Sequence, residues 1–364
     1  MKSWRFYGFG DMRLDEIPDP QVRPGWVVIK VRVLQPSVTE VEQFHGQVIS
    51  FVKDYQSMVK EQGPLQLFGH EFCGEVVEVG DGVENIRVSD RVFHYRGVPC
   101  HECDVCRAGY EDYCHNIVWW VGREMPGCLA EYVALPASIL SVIPDAITDN
   151  EAAAMQPLDG AVNKVYGAKI DMGDTVVILG QGVMGLDTMQ ICRMCGAGKV
   201  IGVDVRDEPL ALASKLGADI TINASNQDPV EAVRELTRGW GADVVFECAG
   251  GSPDQGLAGA KTLEQAIKMV RNGGKIIQEA HLSSDVTLPA NTLVSRNINY
   301  MGTRHCTHKL VDYVTYLVAS GRVQLKPMIT HVLEGIEKIP ESFEITGNKG
   351  KYGAINPAQV IVAR

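Results

Sequence analysis

The chain has 364 residues, 45% of them hydrophobic and 22% charged, a composition typical of a globular protein long enough for two domains. Its formal net charge of -11 disfavours nucleic acids and anionic membranes as partners, because no basic patch offsets the acidic residues. The first residues lack the apolar core of a signal peptide and no apolar run is long enough to span a membrane, so the sequence predicts a cytoplasmic protein.

Residues 1 to about 150 contain short valine-rich segments separated by glycine and proline. The segments 27–33 and 75–79 each predict a β-strand, and the glycines at 80 and 82 predict a turn after the second one. Short strands joined by turns are typical of a compact barrel or sandwich. The sequence therefore predicts a β-rich first domain.

Four of the ten cysteines lie in one polar stretch, at Cys100, Cys103, Cys106 and Cys114. Four thiolates at this spacing can enclose a metal tetrahedrally, and a site of this kind has no open position for chemistry. The favoured interpretation is a structural zinc ion, and an iron–sulfur cluster is the alternative because thiolates suit both. The other six cysteines are scattered, mostly among apolar residues, which indicates reduced thiols rather than disulfides.

From residue 151 the pattern changes to helices alternating with strands. A helix is predicted over 151–170, and later helices are predicted over 186–195, 207–216, 228–238 and 261–271. Strands are predicted at 174–179, 199–203, 219–222, 243–247, 274–278 and 298–300. This alternation predicts a doubly wound parallel sheet. A helix over 309–320 and a strand at 360–362, returning to the first domain, complete the prediction.

The turn after the strand 174–179 has the pattern G-x-G-x-x-G. Gly180 permits the tight turn, Gly182 lets the backbone approach a pyrophosphate, and Gly185 lets the following helix pack close to the strand. Val183 and Met184 complete the loop, where free N–H groups at the start of the helix face the phosphates. A strand, this loop, a helix and a spaced acid together predict dinucleotide binding.

The acid is Asp204, at the end of the strand 199–203. Its carboxylate can accept hydrogen bonds from a ribose hydroxyl and would repel a 2′-phosphate, which favours NAD over NADP. Arg206, two residues later, leaves NADP open as the alternative. Ala249 and Gly250 follow the strand 243–247, and the carboxyl ends of such strands meet the ligand.

Three motifs occur in one order along the chain: Gly69-His70-Glu71, the four-cysteine segment, and the loop 180–185. Together they resemble the medium-chain zinc-dependent dehydrogenases, which act on alcohols, polyols, glucose and threonine. The resemblance implies an α/β protein with a GroES-like β-barrel catalytic domain at 1–155 and a zinc lobe at about 94–118. It also implies a Rossmann NAD-binding domain at 156–304, a return to the catalytic domain at 305–364, and assembly as a homodimer or homotetramer.

The chain departs from this family at the catalytic zinc. Members hold that ion with a cysteine, the histidine of G-H-E, and a glutamate or cysteine farther along. Here Ser37 stands in place of the cysteine and Gln156 in place of the acid, so only His70 remains, with Glu71 as a possible further ligand. Loss of both anionic ligands favours an absent or weakly held catalytic zinc over a bound one.

Without zinc, a side chain must take the proton of the alcohol. His70, beside Glu71, is the best general base by its ordinary pKa. Thr39 lies where the family has its relay hydroxyl, and Ser37 and Gln156 would be hydrogen-bond donors to the substrate oxygen.

The resemblance implies an NAD-dependent oxidoreductase that transfers a hydride between NAD(H) and a secondary alcohol or ketone. The substrate class is a polyol, sugar, cyclitol or hydroxy acid derivative, with Trp119 and Trp120 as candidate lining residues. Two alternatives stay open: a zinc-independent enoyl or quinone reductase, and an NAD-binding protein without catalytic activity.

Overall fold

The computed structural model describes residues 1–47, 55–117, 120–251, 258–282, 284–302 and 310–363. The chain divides into two compact units, of which the first comprises Met1–Asp159 with His305–Arg364 and the second comprises Gly160–Arg304. The sequence places the domain boundary at residue 156, whereas the compact units divide after Asp159. Trp119, a predicted lining residue, lies outside the described residues.

The first unit is rich in β-structure. Its strands are β1 Lys2–Gly8, β2 Asp11–Glu16, β3 Trp26–Gln35, β4 Glu71–Val79, β5 Arg91–His94, β6 Tyr132–Pro136, β7 Leu140–Val142, β14 Val332–Glu334 and β15 Gln359–Ile361. β1 pairs with β2, and the others form one sheet in the order β14-β15-β3-β4-β5-β7, with β6 also paired to β3. Val360 of β15 pairs with Leu34 of β3, which confirms the predicted return strand.

Short helices connect these strands. They are α1 Val38–Phe44, α2 Tyr55–Gln62, α3 Asp104–Arg107, α4 Asp149–Ala153, α11 Val311–Ala319, α12 Ile339–Gly347 and α13 Lys349–Tyr352. A longer helix, α5 Met155–Ala168, carries the chain from the first unit into the second.

The core of the first unit forms because the apolar side chains of β3 and β4 are buried together. Ile29, Leu34 and Phe72 are at most 1% exposed, and Phe343 from α12 packs into the same cluster. Removal of such side chains from water is the main force that holds the sheet together. The antiparallel register places Gln35, the last residue of β3, opposite Glu71, the first residue of β4.

The second unit contains the strands β8 Thr175–Leu179, β9 Lys199–Asp204, β10 Ile220–Asn223, β11 Ala242–Glu247, β12 Val270–Gln278 and β13 Asn299–Gly302. Its remaining helices are α6 Val183–Met194, α7 Asp207–Leu216, α8 Pro229–Leu236, α9 Lys261–Met269 and α10 Ala290–Ser295. The strands form one parallel sheet in the order β10-β9-β8-β11-β12-β13, which confirms the predicted parallel sheet. The chain order reverses direction between β8 and β11, the position where such sheets bind ligands.

Several element boundaries differ from the predictions: β4 begins at Glu71 rather than at residue 75, and β12 begins at Val270, inside the helix predicted over 261–271. The helix predicted over 151–170 is two helices, because Pro157 lacks an N–H and lies in the first turn of α5 rather than inside a continuous helix. α6 begins at Val183, three residues before the prediction, since Gly182 is its N-cap. Among the described helices, none combines the length and apolar character needed to cross a membrane.

Candidate active site

Ser37 has a structural task at the start of α1. Its hydroxyl accepts a hydrogen bond from the backbone N–H of Glu40 (3.1 Å), and the Glu40 carboxylate accepts one from the N–H of Ser37 (3.0 Å). This reciprocal arrangement is a capping box, for which S-x-x-E is the sequence signature. The Ser37 hydroxyl, at the position of the family's cysteine ligand, is therefore engaged with the backbone.

Glu40 also holds the histidine of the G-H-E motif. Its Oε1 accepts hydrogen bonds from the N–H of Gly69 (2.7 Å) and the N–H of His70 (3.2 Å), and lies 2.6 Å from Nδ1 of His70. A carboxylate only accepts, so Nδ1 carries a proton and Nε2 of the neutral ring keeps its lone pair. The contact orients the ring and leaves Nε2 able to take a proton.

The turn before His70 requires glycine. Gly69 has φ +80°, and a Cβ there would lie 2.9 Å from the backbone nitrogen of Leu129. An L side chain would therefore be strained and would collide with backbone. This close approach brings the N–H groups of residues 69 and 70 to Glu40.

Glu71 lies beside His70 at the end of a chain of three side-chain amides, of which Gln35 and Gln359 are buried. Its Oε2 accepts from Nε2 of Gln35 (2.6 Å), and Oε1 of Gln35 accepts from Nε2 of Gln359 (2.9 Å). Oε1 of Gln359 in turn accepts from Nδ2 of Asn150 (2.6 Å). Each amide donates toward the carboxylate, so the chain fixes Oε2 and leaves Oε1 3.8 Å from Nε2 of His70.

The charges in this cluster shift one another's pKa values. Burial lowers the pKa of His70, but attraction and hydrogen bonding to Glu40, with attraction to Glu71, outweigh it, so the net shift is upward. Burial raises the pKa of Glu40, yet His70 and the backbone donors bring it below its usual value. Burial raises the pKa of Glu71 to about 7 against the opposing effects of His70 and Gln35.

The donor set at His70 does not fit a catalytic zinc ion. Nε2 of His70 and Oε1 of Glu71 are two suitable donors, whereas catalytic zinc takes three protein ligands. Ser37 caps a helix, and Gln156 offers a neutral amide. In the described part of the chain, the four cysteines alone form a group of three or more His, Cys, Asp or Glu side chains close enough to share an ion.

The four cysteines do fit a zinc ion. The Sγ atoms of Cys100, Cys103, Cys106 and Cys114 all lie within 4.8 Å of one another. Zn–S bonds of about 2.3 Å place tetrahedral sulfurs about 3.8 Å apart, so one ion suits this spacing better than a multi-iron cluster. The N–H groups of Cys103 and Asn116 point at the sulfurs of Cys100 and Cys114 at 3.4 and 3.3 Å, which favours thiolates.

The glycine loop of the second unit has the geometry of a dinucleotide cradle. Gly180 has φ +89°, and a Cβ on Gly185 would lie 1.8 Å from the carbonyl oxygen of Gly180. A Cβ on Gly182 would meet nothing within 4 Å, so the space in front of the start of α6 is open. Val183 and Met184 form the first turn of α6, whose free N–H groups suit a pyrophosphate.

Asp204 and Ala249–Gly250 border this loop from either side. Oδ2 of Asp204 accepts from the N–H of Gln181 (2.7 Å), and its Oδ1 accepts from the N–H of Arg206 (3.0 Å). A Cβ on Gly180 would lie 2.9 Å from Cα of Ala249. The predicted cofactor residues therefore lie together at the carboxyl edge of the sheet.

For two predicted site residues, Thr39 and Gln156, the described part of the structure shows no hydrogen bond or ion pair to His70. Thr39 is half-buried in the first turn of α1, and Gln156 is half-buried in the first turn of α5. Their roles stay predictions. Gln35, Gln359 and Asn150 were missed, because nothing in the local sequence marks an amide that pairs across more than a hundred residues.

Comparisons with known proteins agree with this arrangement. Residues 23–145 match the alcohol dehydrogenase GroES-like domain, and residues 183–319 match the zinc-binding dehydrogenase family. The chain is 33% identical to the L-threonine 3-dehydrogenase of Pyrococcus horikoshii over 96% of this chain and 95% of that protein. It is 30% identical, over 96% of each chain, to a protein of Aspergillus terreus assigned as a D-xylulose reductase.

Two solved structures share the fold over nearly their whole length. The 2R,3R-butanediol dehydrogenase of Bacillus subtilis is 26% identical, with a TM-score of 0.83 over 100% of this chain and 99% of that one. A Sinorhizobium meliloti protein assigned as a zinc-binding dehydrogenase and solved with NADP is 28% identical, with a TM-score of 0.86 over 99% and 98%. The chain belongs to the medium-chain zinc-dependent dehydrogenases and is a hydride-transfer oxidoreductase that acts on secondary alcohols.

Proposed function

We propose that this dehydrogenase uses NAD and removes the alcohol proton with His70 instead of a catalytic zinc ion. The observation that carries the proposal is the contact of 2.6 Å between Glu40 and Nδ1 of His70, which leaves Nε2 as the acceptor. The bound nicotinamide would accept the hydride from the carbon that bears the hydroxyl.

The residues around His70 support the proton transfer. When Nε2 takes the hydroxyl proton, the ring becomes positive between two carboxyl groups, Glu40 at 2.6 Å and Glu71 at 3.8 Å. Such preorganised negative charge stabilises the imidazolium as it forms. Thr39, Ser37 and Gln156 remain the candidates for hydrogen bonds to the substrate, and Arg206 remains a candidate beside the cofactor ribose.

The substrate class that we propose is a secondary alcohol with a neighbouring polar group, such as a polyol, sugar, cyclitol or hydroxy acid derivative. The enzymes named for threonine, xylulose and butanediol among the relatives act on compounds of this kind. The preference for NAD rests on Asp204, whose carboxylate would repel a 2′-phosphate. The four-cysteine lobe would hold one structural zinc ion, and β13, at the edge of the sheet formed by the described strands, would be the pairing strand of a homo-oligomer.

The test is His70→Asn, assayed by NADH formation with a panel of secondary alcohols. We expect kcat to fall by about 100-fold or more, the usual share of a general base, while NADH still binds with its original Kd. His331→Asn, a substitution at a histidine next to Thr330 in the same unit, is the matched control and should keep full activity. Unchanged turnover in His70→Asn would refute the proposed base.

A further inference from the structure

The second unit contains a buried ion pair that the proposed chemistry does not use. Nζ of Lys164, in α5, lies 2.8 Å from Oε1 of Glu279, which follows β12. The two residues are only 8% and 9% exposed. Burial of two charges costs free energy unless they are paired and hydrogen-bonded. A buried pair at this position therefore indicates a function.

Both oxygens of the Glu279 carboxylate accept hydrogen bonds, whereas the Lys164 ammonium uses only part of its donor capacity. Oε2 of Glu279 accepts from the hydroxyl of Thr188 (3.1 Å) and the thiol of Cys248 (3.1 Å). An ammonium has three N–H donors, and within the described residues Glu279 is the one hydrogen-bond partner of Lys164. The remaining donors of Lys164 are therefore available to a ligand or to water.

The pair lies at the edge of the sheet where ligands bind. Glu279 and Cys248 follow the carboxyl ends of β12 and β11, and Thr188 is in the second turn of α6. Gly160 has no side chain, and a Cβ there would lie 3.8 Å from Nζ of Lys164 and 3.7 Å from Cε of Met184, in the first turn of α6. The ammonium thus borders a space of about one methyl group over Gly160, beside the start of α6.

The order of the strands indicates which half of a dinucleotide reaches this space. Asp204, the ribose acceptor on the adenosine side, ends β9, and the pyrophosphate suits the start of α6 after β8. β11 and β12 lie on the opposite side of β8 from β9. The half of the cofactor that lies beyond the pyrophosphate, the nicotinamide half, is therefore directed toward Lys164 and Glu279.

We propose that Lys164 donates a hydrogen bond to the carboxamide oxygen of the nicotinamide, and that Glu279 is a positioning residue that holds the ammonium. This inference rests on the dinucleotide binding given under Proposed function. A neutral carboxamide presents one strong acceptor, which suits an ammonium whose own charge is already balanced by a carboxylate.

The test compares NADH with ADP-ribose, which lacks the nicotinamide, in the double variant Lys164→Met/Glu279→Met. Apolar replacement of a buried ion pair often preserves stability, so this variant is expected to fold. We expect the Kd for NADH, measured by its fluorescence, to rise by about tenfold or more, as loss of a charge-assisted hydrogen bond implies. The Kd for ADP-ribose, measured by calorimetry, should stay the same.

The matched control is Arg271→Met, which removes an ion pair to Asp243 at the opposite, amino-terminal ends of β12 and β11. It should change neither Kd. If the double variant does not fold, Lys164→Met/Glu279→Gln, in which the amide oxygen at 279 can still accept from Thr188 and Cys248, should show the same selective loss of NADH binding. A variant that binds NADH like the original chain, or loses ADP-ribose equally, overturns the inference. An unmodified chain that binds neither compound overturns the cofactor proposal as well.

Discussion

The imidazole of His70 owes both its orientation and its basicity to one carboxylate. Glu40 is 2% exposed, and its Oε1 takes three donors from the G-H segment, so the side chain has little freedom to move. The same oxygen raises the pKa of the ring against the opposing effect of burial. A substitution at Glu40 should therefore lower the basicity of His70 while the imidazole itself stays present.

We expect Glu40→Gln to move the acidic limb of the kcat/KM profile to lower pH. The base must be neutral, so activity falls as the pH falls through the raised pKa of His70. Without the carboxylate, the effect of burial remains and the pKa of His70 drops, which shifts the limb downward. The plateau should also fall by about tenfold to 100-fold, because the ring loses its orientation.

Glu42→Gln serves as the control for that experiment. Glu42 lies in the same helix, and its pKa is raised by burial alone, without an effect from His70. Its pH profile should match that of the unmodified chain. An acidic limb that stays in place in Glu40→Gln would contradict the assignment of His70 as the titrating base.

Restoring the two missing ligands should restore a second metal site. The double variant Ser37→Cys/Gln156→Glu adds a thiolate and a carboxylate at the two positions where the family has its other zinc ligands, which gives His70 a ligand set of the kind that catalytic zinc takes. Elemental analysis should then give about two zinc ions per chain instead of about one. Ser37→Ala/Gln156→Ala, which changes the same positions without adding ligands, should stay at one. Two ions in the unmodified chain would show that His70 and Glu71 recruit a donor outside this set.

At the scale of single residues, motifs predicted which side chains matter but not how they are held. The spacing of the cysteines and the G-H-E motif singled out Cys100 and His70, because their chemistry depends on local sequence. Glu40 and Gln359 act through contacts across 30 residues and 324 residues, respectively. Such contacts depend on strand register and chain return, which no local pattern encodes.

At the scale of elements, the junction of β8 and α6 shows that two glycines of one motif can have different physical roles. Gly185 packs against the backbone of Gly180, and Gly182 faces open space. The two positions are similar in sequence but differ in physical role. Gly185 serves the packing of helix on strand, and we propose that Gly182 leaves room for the ligand.

We expect Gly185→Ala and Gly182→Ala to fail in different ways. A Cβ at 185 would lie 1.8 Å from a backbone oxygen that cannot move aside, so the free energy of unfolding should fall by about 1–3 kcal/mol or more. Gly182 has φ -74° and is the N-cap of α6, so alanine should lower the melting temperature only slightly while its methyl group obstructs the cofactor. Thermal unfolding and the Kd for NADH measure the two effects. Equal melting temperatures for both variants would contradict this division of roles.

Strands of the second unit were predictable because they are buried on both faces. Val176, Val177 and Ile178 have no exposed surface, so the whole run is apolar and β-branched. The break between α4 and α5 was missed because both segments are helical and only Ala154 separates them. Only Pro157 marks it, since proline is tolerated in a first turn but not in a helix interior.

At the scale of the whole molecule, the zinc lobe should be a separable source of stability. We expect the purified chain to hold about one zinc ion, and removal by a chelator to lower the melting temperature, because metal binding contributes folding free energy to its loop. Cys103→Ser should lose the metal and reproduce that effect. Cys195→Ser, at an exposed cysteine after α6, should retain both metal and stability. Full stability without zinc would contradict a structural role.

The division into two units follows from a change in pattern that the sequence displays at residue 151. Short strands joined by turns bury their apolar faces against other strands, whereas alternating strands and helices bury theirs between the sheet and the helices. Each of the two patterns therefore forms its own core. The composition of the second core was therefore predictable. The amide chain behind Glu71 was not, because it joins β3, β15 and the helix α4 within the first unit.

The strand β15 has a consequence for how the chain is made. Gln359 donates to Gln35, and Val360 pairs with Leu34, so the sheet that carries Glu71 closes only after ribosomal synthesis has passed residue 360. Residues 160–304 have all their strand partners long before then and can fold while the nascent chain is still growing. The order of folding is thus the reverse of the order of synthesis: the second unit is completed first, and the first unit, whose synthesis begins earlier, is completed only when β15 is added. A ribosome stalled near residue 350 should therefore display a protease-resistant middle segment and a protease-sensitive amino-terminal region.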